Sequence, residues 1–192
     1  MSLGRANVYA LANVVPIGTA LSATYLALWG WEGVFGGITT LTSHWTIPPV
    51  LLLGGIVLHE LIHGLTWALF GRRPLRDIEY GIKWEYLTPY AHARVPLTAQ
   101  AYRWGAVMPG IILGLVPAGW GIATGDGGPF LYGLLFTVAA GGDFLILWLL
   151  RAVPRHALVE DHPTQAGCFV LEADQDERRT GPAMRQATTS DP

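Results

Sequence analysis

"GGIVLHELIHGLTWALFG", Gly54–Gly71, sets two readings of the chain against each other. Its centre, His59-Glu60-Leu61-Ile62-His63, has the spacing of a zinc hydrolase helix. Its flanks are apolar enough for a lipid bilayer. On an α-helix, residues four apart share a face, so His59 and His63 present two imidazoles to one ion with Glu60 beside them. In zinc hydrolases the glutamate at this position takes a proton from the metal-activated water. The bland alternative is a helix that carries the three side chains as packing or hydrogen-bonded groups. Within a membrane span that alternative weakens, because an unpaired ionisable residue there is costly and marks a functional site by default.

Composition supports a membrane setting. The 192 residues suffice for one ordinary domain; 51% are hydrophobic and 14% charged, against roughly 25% charged in a typical soluble domain. The chain holds eight Trp and 24 Gly, residues favoured at membrane interfaces and inside helix pairs respectively. A net charge of −2 argues against nucleic acid as a partner. The single cysteine, Cys168, cannot form an internal disulfide.

Four stretches approach the roughly 20 apolar residues that a spanning helix needs: about 8–29, 49–70, 106–123 and 130–150. The first is longer than a signal-peptide core and lacks a clear cleavage site, so it reads as a retained span. All 12 Lys and Arg fall before span one, between spans two and three, or after span four. By the positive-inside rule both termini and the central loop then face the cytoplasm, in a multi-pass protein of the cell (inner) membrane. Within that loop, Ile78–Val95 reads as two short strands forming a hairpin that turns near Thr88-Pro89. The fold expected is an all-α membrane protein, a four-helix transmembrane bundle with one short cytoplasmic β-hairpin between spans two and three. Residues 1–171 make a single domain, and the polar segment 172–192 reads as a disordered tail.

A catalytic zinc site usually has three protein ligands and an open position. The extended pattern with a histidine six residues after His63 fails, because that position is Leu69. Inside the other spans Asp143 is the lone acid. His63 lies nine residues before Arg72 and Asp143 eight before Arg151. At 1.5 Å per residue both sit about 12–14 Å from the same end of their spans. They are level, and Gly141 and Gly142 would let spans two and four approach. Competing third ligands are His92, Glu79, Glu85 and Asp161. His44 lies on the opposite side and His156 and His162 beyond the last span, so all three read as non-ligands.

The chain resembles a family of small membrane zincin peptidases, related in motif to site-2 intramembrane metalloproteases. The resemblance rests on "HELIHGLTWALFG" (His59–Gly71), "PYAHARVPLTAQAYRWGAVMPGIILG" (Pro89–Gly114) and "GGDFLILWLLRAVPRHALVEDHPTQAGCFV" (Gly141–Val170), and covers roughly residues 51–170. Carried over from the site-2 proteases, it implies His59, His63 and Asp143 as ligands of Zn2+ and Glu60 as catalytic base. The chain departs from them at the aspartate: where they have Leu-Asp-Gly it has Gly142-Asp143-Phe144, with no Asn-Pro pair before it.

The function expected is that of an intramembrane zinc metalloprotease acting on a membrane protein or peptide. Water would reach the site through a cytoplasm-facing polar cavity. An edge of the hairpin would pair with the unwound substrate by strand addition; the plainer reading of the hairpin is a cover with no substrate role. The rival function is a non-catalytic membrane protein with a structural or regulatory zinc site. A transporter using the buried His and Asp would show inverted repeats or broken helices; no repeat is evident, while Pro16 and Pro109 could break helices, so this reading is disfavoured and not excluded. Substrate identity, the oxyanion donor and the oligomeric state are not encoded in any motif.

Overall fold

The computed structural model describes residues 3–84, 88–161 and 168–171. The expected tail at 172–192, Glu85 and His162 lie outside them. Helix α1 spans Leu3–Thr42 and α2 Ile47–Phe70. Strands β1 (Ile78–Lys83) and β2 (Thr88–Ala93) follow, then β3 (Leu97–Thr98), α3 (Ala99–Pro109), a wide π turn (Gly110–Leu115) and α4 (Val116–Thr124). Helices α5 (Gly127–Ala139) and α6 (Gly141–Leu150) and strands β4 (Leu158–Asp161) and β5 (Cys168–Leu171) complete the order.

Three helical stretches are long and apolar enough to cross a membrane: 8–42, 47–70 and 99–124. The pair α5 and α6 makes a fourth if it crosses as one element. The second matches its expected bounds of about 49–70, and the other three depart from their expected form, each for a local reason. The first stretch breaks at Gly30, whose φ of 62° is left-handed, and then resumes as helix to Thr42. Its second half leans on the α4–α5 turn, where a Cβ on Gly37 would lie 2.3 Å from the Gly127 carbonyl carbon. The third stretch starts at Ala99, capped by the Thr98 hydroxyl, and widens after Pro109. The fourth is not one straight helix over 130–150; it bends by 47° at the α5–α6 junction.

The hairpin exists with a shifted turn. Ile78 pairs with Ala93 and Lys83 with Thr88, so Thr88 and Pro89 are strand residues and the connection lies beyond Lys83. Proline is tolerated there because a two-stranded ribbon has only edge strands, whose outward positions need no N–H donor. The expectation of an all-α fold with one hairpin also missed a second sheet. Its order is β3-β4-β5, antiparallel, with Leu97 opposite Val159. These strands are too short to carry readable alternation. Leu97 and Val159 are buried together with Trp67, Ile78, Ala93, Ala99, Tyr102 and Leu150. This core lies against the end of α2 that carries His63.

Candidate metal centre

Helix α2 sets three side chains on one stripe. His59, His63 and Trp67 follow at intervals of four, with ring centroids 4.8 Å apart for the first pair and 5.4 Å for the second. Trp67 stacks in turn on Tyr102 of α3, and its Nε1 donates to the Tyr102 carbonyl. Gly105 makes room for this, since a Cβ there would lie 1.9 Å from Trp67 Nε1.

Gly105 also supplies the atom that orients His63. Pro109 stands four residues after it and has no N–H, so the Gly105 carbonyl lacks its usual intrahelical partner. His63 Nδ1 takes that carbonyl at 2.9 Å. A carbonyl carries no proton, so Nδ1 must donate. In a neutral imidazole the other nitrogen, Nε2, is then a bare lone pair.

Both imidazoles meet the acid of α6. His59 Nε2 lies 3.1 Å from Asp143 Oδ2, and His63 Nε2 lies 3.3 Å from Asp143 Oδ1. One ligand atom from each of the three residues can be chosen so that all lie within 4.8 Å of one another. Their side chains are 8–16% exposed. The donor set fits a divalent transition metal. With His63 Nδ1 donating, Nε2 and the carboxylate oxygen oppose lone pair to lone pair, an arrangement that a proton or a metal ion between them relieves. Two imidazole nitrogens and one carboxylate oxygen form a set that zinc accepts. Asp143 sits in the first turn of α6 because the chain restarts there after the bend at Ala140. That places its carboxylate near the positive end of the helix dipole.

Glu60 lies beside the three. Its Oε2 accepts the Ala91 N–H of β2 at 2.8 Å, and Oε1 has no hydrogen-bond partner among the described residues. Ala91 sits opposite Tyr80 in the ribbon, yet its N–H turns away from β1 to reach the helix. Gly64 allows this docking, because a Cβ there would lie 2.2 Å from Tyr80 Oη and 2.6 Å from Ile78 Cγ2.

The other sequence candidates stand elsewhere. Glu79 accepts from Arg94 Nε at 3.1 Å and from the Tyr90 hydroxyl at 3.2 Å. His92 faces Glu79 in the ribbon register. Asp161 ends β4. His44 meets Thr46 beyond the end of α1, and His156 is exposed after α6. Sequence reasoning missed Gly105 as the orienting acceptor. Its signal was present: a proline four residues after a glycine frees one carbonyl at a known position.

The sequence pattern of a family described as "Putative zincin peptidase" matches residues 52–158, more than half of the chain. The chain belongs to this family. The match takes in His59, Glu60, His63, Gly105, Pro109 and Asp143, and the zincin family implies zinc for the three clustered donors. No curated protein and no solved structure matches the chain.

Proposed function

We propose that this zincin-family protein is an intramembrane zinc metalloprotease that hydrolyses peptide bonds of membrane-associated substrates. The observation that carries the reading is a glutamate beside a two-histidine, one-aspartate cluster, on helices apolar enough to cross a membrane. His59 Nε2, His63 Nε2 and Asp143 would hold the ion. Zinc bound there supplies Lewis acidity, polarising a carbonyl and acidifying water. Glu60 receives the water proton on Oε1 and returns it to the leaving amine. The Gly105 carbonyl keeps His63 in the tautomer whose Nε2 is free to ligate. Asp143 offsets cationic charge where the dielectric is low.

The distribution of basic residues supports a topology with both termini and the hairpin in the cytoplasm. The substrate must be extended to be cut, and strand addition at an exposed edge of the hairpin would present it near Glu60. Proline substitutions along that edge test this: unchanged cleavage with an intact fold would sink strand addition.

The bond from Ala91 to Glu60 also favours a second reading, in which Glu60 only ties the hairpin to α2 around a structural zinc site. Glu60→Gln separates the two, since an amide oxygen still accepts from Ala91 but takes up no proton. Purified protein is assayed for zinc content and for cleavage of a single-span substrate. Zinc retained with cleavage lost is the expected result. Cleavage at the wild-type rate would exclude Glu60 as the base.

A further inference from the structure

One polar side chain near the centre has no part in the chemistry proposed for it. Arg103 lies on α3, two residues before Gly105. Its guanidinium Nη2 donates to the Leu150 carbonyl and, at 2.6 Å, to the Val153 carbonyl. These acceptors belong to the C-terminal end of α6 and the turn after it. Among the described residues the guanidinium meets no carboxylate, and its buried Nε has no partner. Its charge is therefore answered by the carbonyls at the negative end of the α6 dipole.

Helix α6 is only ten residues long and is joined to α5 through a 47° bend. Its direction depends on what holds its far end. Asp143 lies three residues beyond Ala140, about 4.5 Å along the axis from the bend. A swing of about 20° about the bend, or a comparable roll, moves its carboxylate by more than 1 Å, enough to spoil a ligand geometry. The same α3 helix fixes the partner side, through the Gly105 carbonyl on His63 and the Tyr102 carbonyl on Trp67.

We infer that Arg103 is a positioning residue for the metal centre: by holding the C-terminal carbonyls of α6 it sets where Asp143 stands relative to His59 and His63. The inference rests on the reading of these three as ligands. Its consequence for α6 can also be measured without metal.

The test uses the full chain in detergent or nanodiscs. Zinc affinity is measured by chelator competition, and the cobalt-substituted protein by its visible spectrum. Arg103→Met is expected to weaken zinc binding by roughly 10–100-fold, the range for losing an outer-shell partner. Arg103→Lys keeps the charge but not the planar fork; it should fall between wild type and Met, with a shifted cobalt spectrum. Thr98→Ala, which removes the cap of the same helix, should lower the melting temperature and leave zinc affinity unchanged. In a Cys168→Ser background, nitroxides at exposed positions 69 and 149 report the distance between α2 and α6 without metal. Arg103→Met should broaden that distance distribution. If Arg103→Met does not fold, the lysine variant decides. Wild-type affinity, spectrum and distance in Arg103→Lys would overturn the inference. So would a loss of zinc affinity in Thr98→Ala proportional to its lost stability. A wild type that binds no zinc would sink the metal reading, and the distance distribution would still judge the clamp.

Discussion

The α4–α5 turn and the surroundings of α3 are tied by the same kind of bond and differ in what the bond leaves over. Around the α4–α5 turn, the Tyr25 hydroxyl donates to the Gly125 carbonyl at 2.9 Å, and Trp29 Nε1 donates to the Ile122 carbonyl at 2.8 Å. Around α3, Trp67 Nε1, His63 Nδ1 and Arg103 donate to backbone carbonyls in the same way. A phenol or indole has then spent its one donor and has no second ring nitrogen to offer a metal. A neutral imidazole has spent its one donor too, but His63 keeps a second nitrogen, with its lone pair, turned toward Asp143. The comparison teaches that a side chain-to-carbonyl bond can be purely structural or can prepare a ligand, and that the residue type decides which.

The sharpest way to break this comparison is at Glu60 and Asp143. Glu60→Gln should lower cleavage by roughly 10²–10⁴-fold, the usual worth of a general base, with zinc content unchanged. Asp143→Asn should weaken zinc binding at least as much as an outer-shell loss, roughly 10–100-fold. Tyr25→Phe, at the α4–α5 turn, should leave both untouched and cost about 1–3 kcal/mol of stability by orphaning a carbonyl. A change in zinc affinity there would erase the distinction between the two regions.

A matched pair of glycines comes next. Gly64→Ala would set a Cβ against Tyr80 and Ile78, and Gly55→Ala would set one 2.1 Å from Phe136 Cζ. Each should cost about 1–3 kcal/mol by overpacking. Only Gly64→Ala should also impair cleavage, because it displaces the hairpin from Glu60. Thermal unfolding beside the cleavage assay checks this.

Pro109→Ala should move two quantities in opposite directions. Removing an interior proline favours the helix. The restored N–H competes for the Gly105 carbonyl and loosens His63. A higher melting temperature with zinc affinity lowered by less than about tenfold is the expected pair of results. Affinity that rose with stability would show that the free carbonyl has no orienting role.

The smallest effect lies on the exposed face of the hairpin. The hydrogen bond from Arg94, reinforced by Tyr90, holds the Glu79 carboxyl below its ordinary range. A depressed carboxyl stabilises the fold above its unfolded pKa, and that contribution is lost as pH falls through the folded value. Glu79→Gln should therefore flatten the acid limb of the melting-temperature profile slightly and leave zinc binding alone.

The sequence by itself determined what is local and periodic. Spacing of four put His59 and His63 on one face of α2, and runs of apolar residues located the helices that can cross a membrane, because a helix satisfies its own backbone. Counting residues to the nearest arginine set Asp143 level with His63. Only the tertiary structure decided the rest. The bend before α6, the second sheet pairing Leu97 with Val159, the Ala91 amide on Glu60 and the Arg103 clamp all join residues distant in the chain. None of these carries a sequence period, because each depends on which free carbonyl, amide or gap the packing of other elements brings within reach.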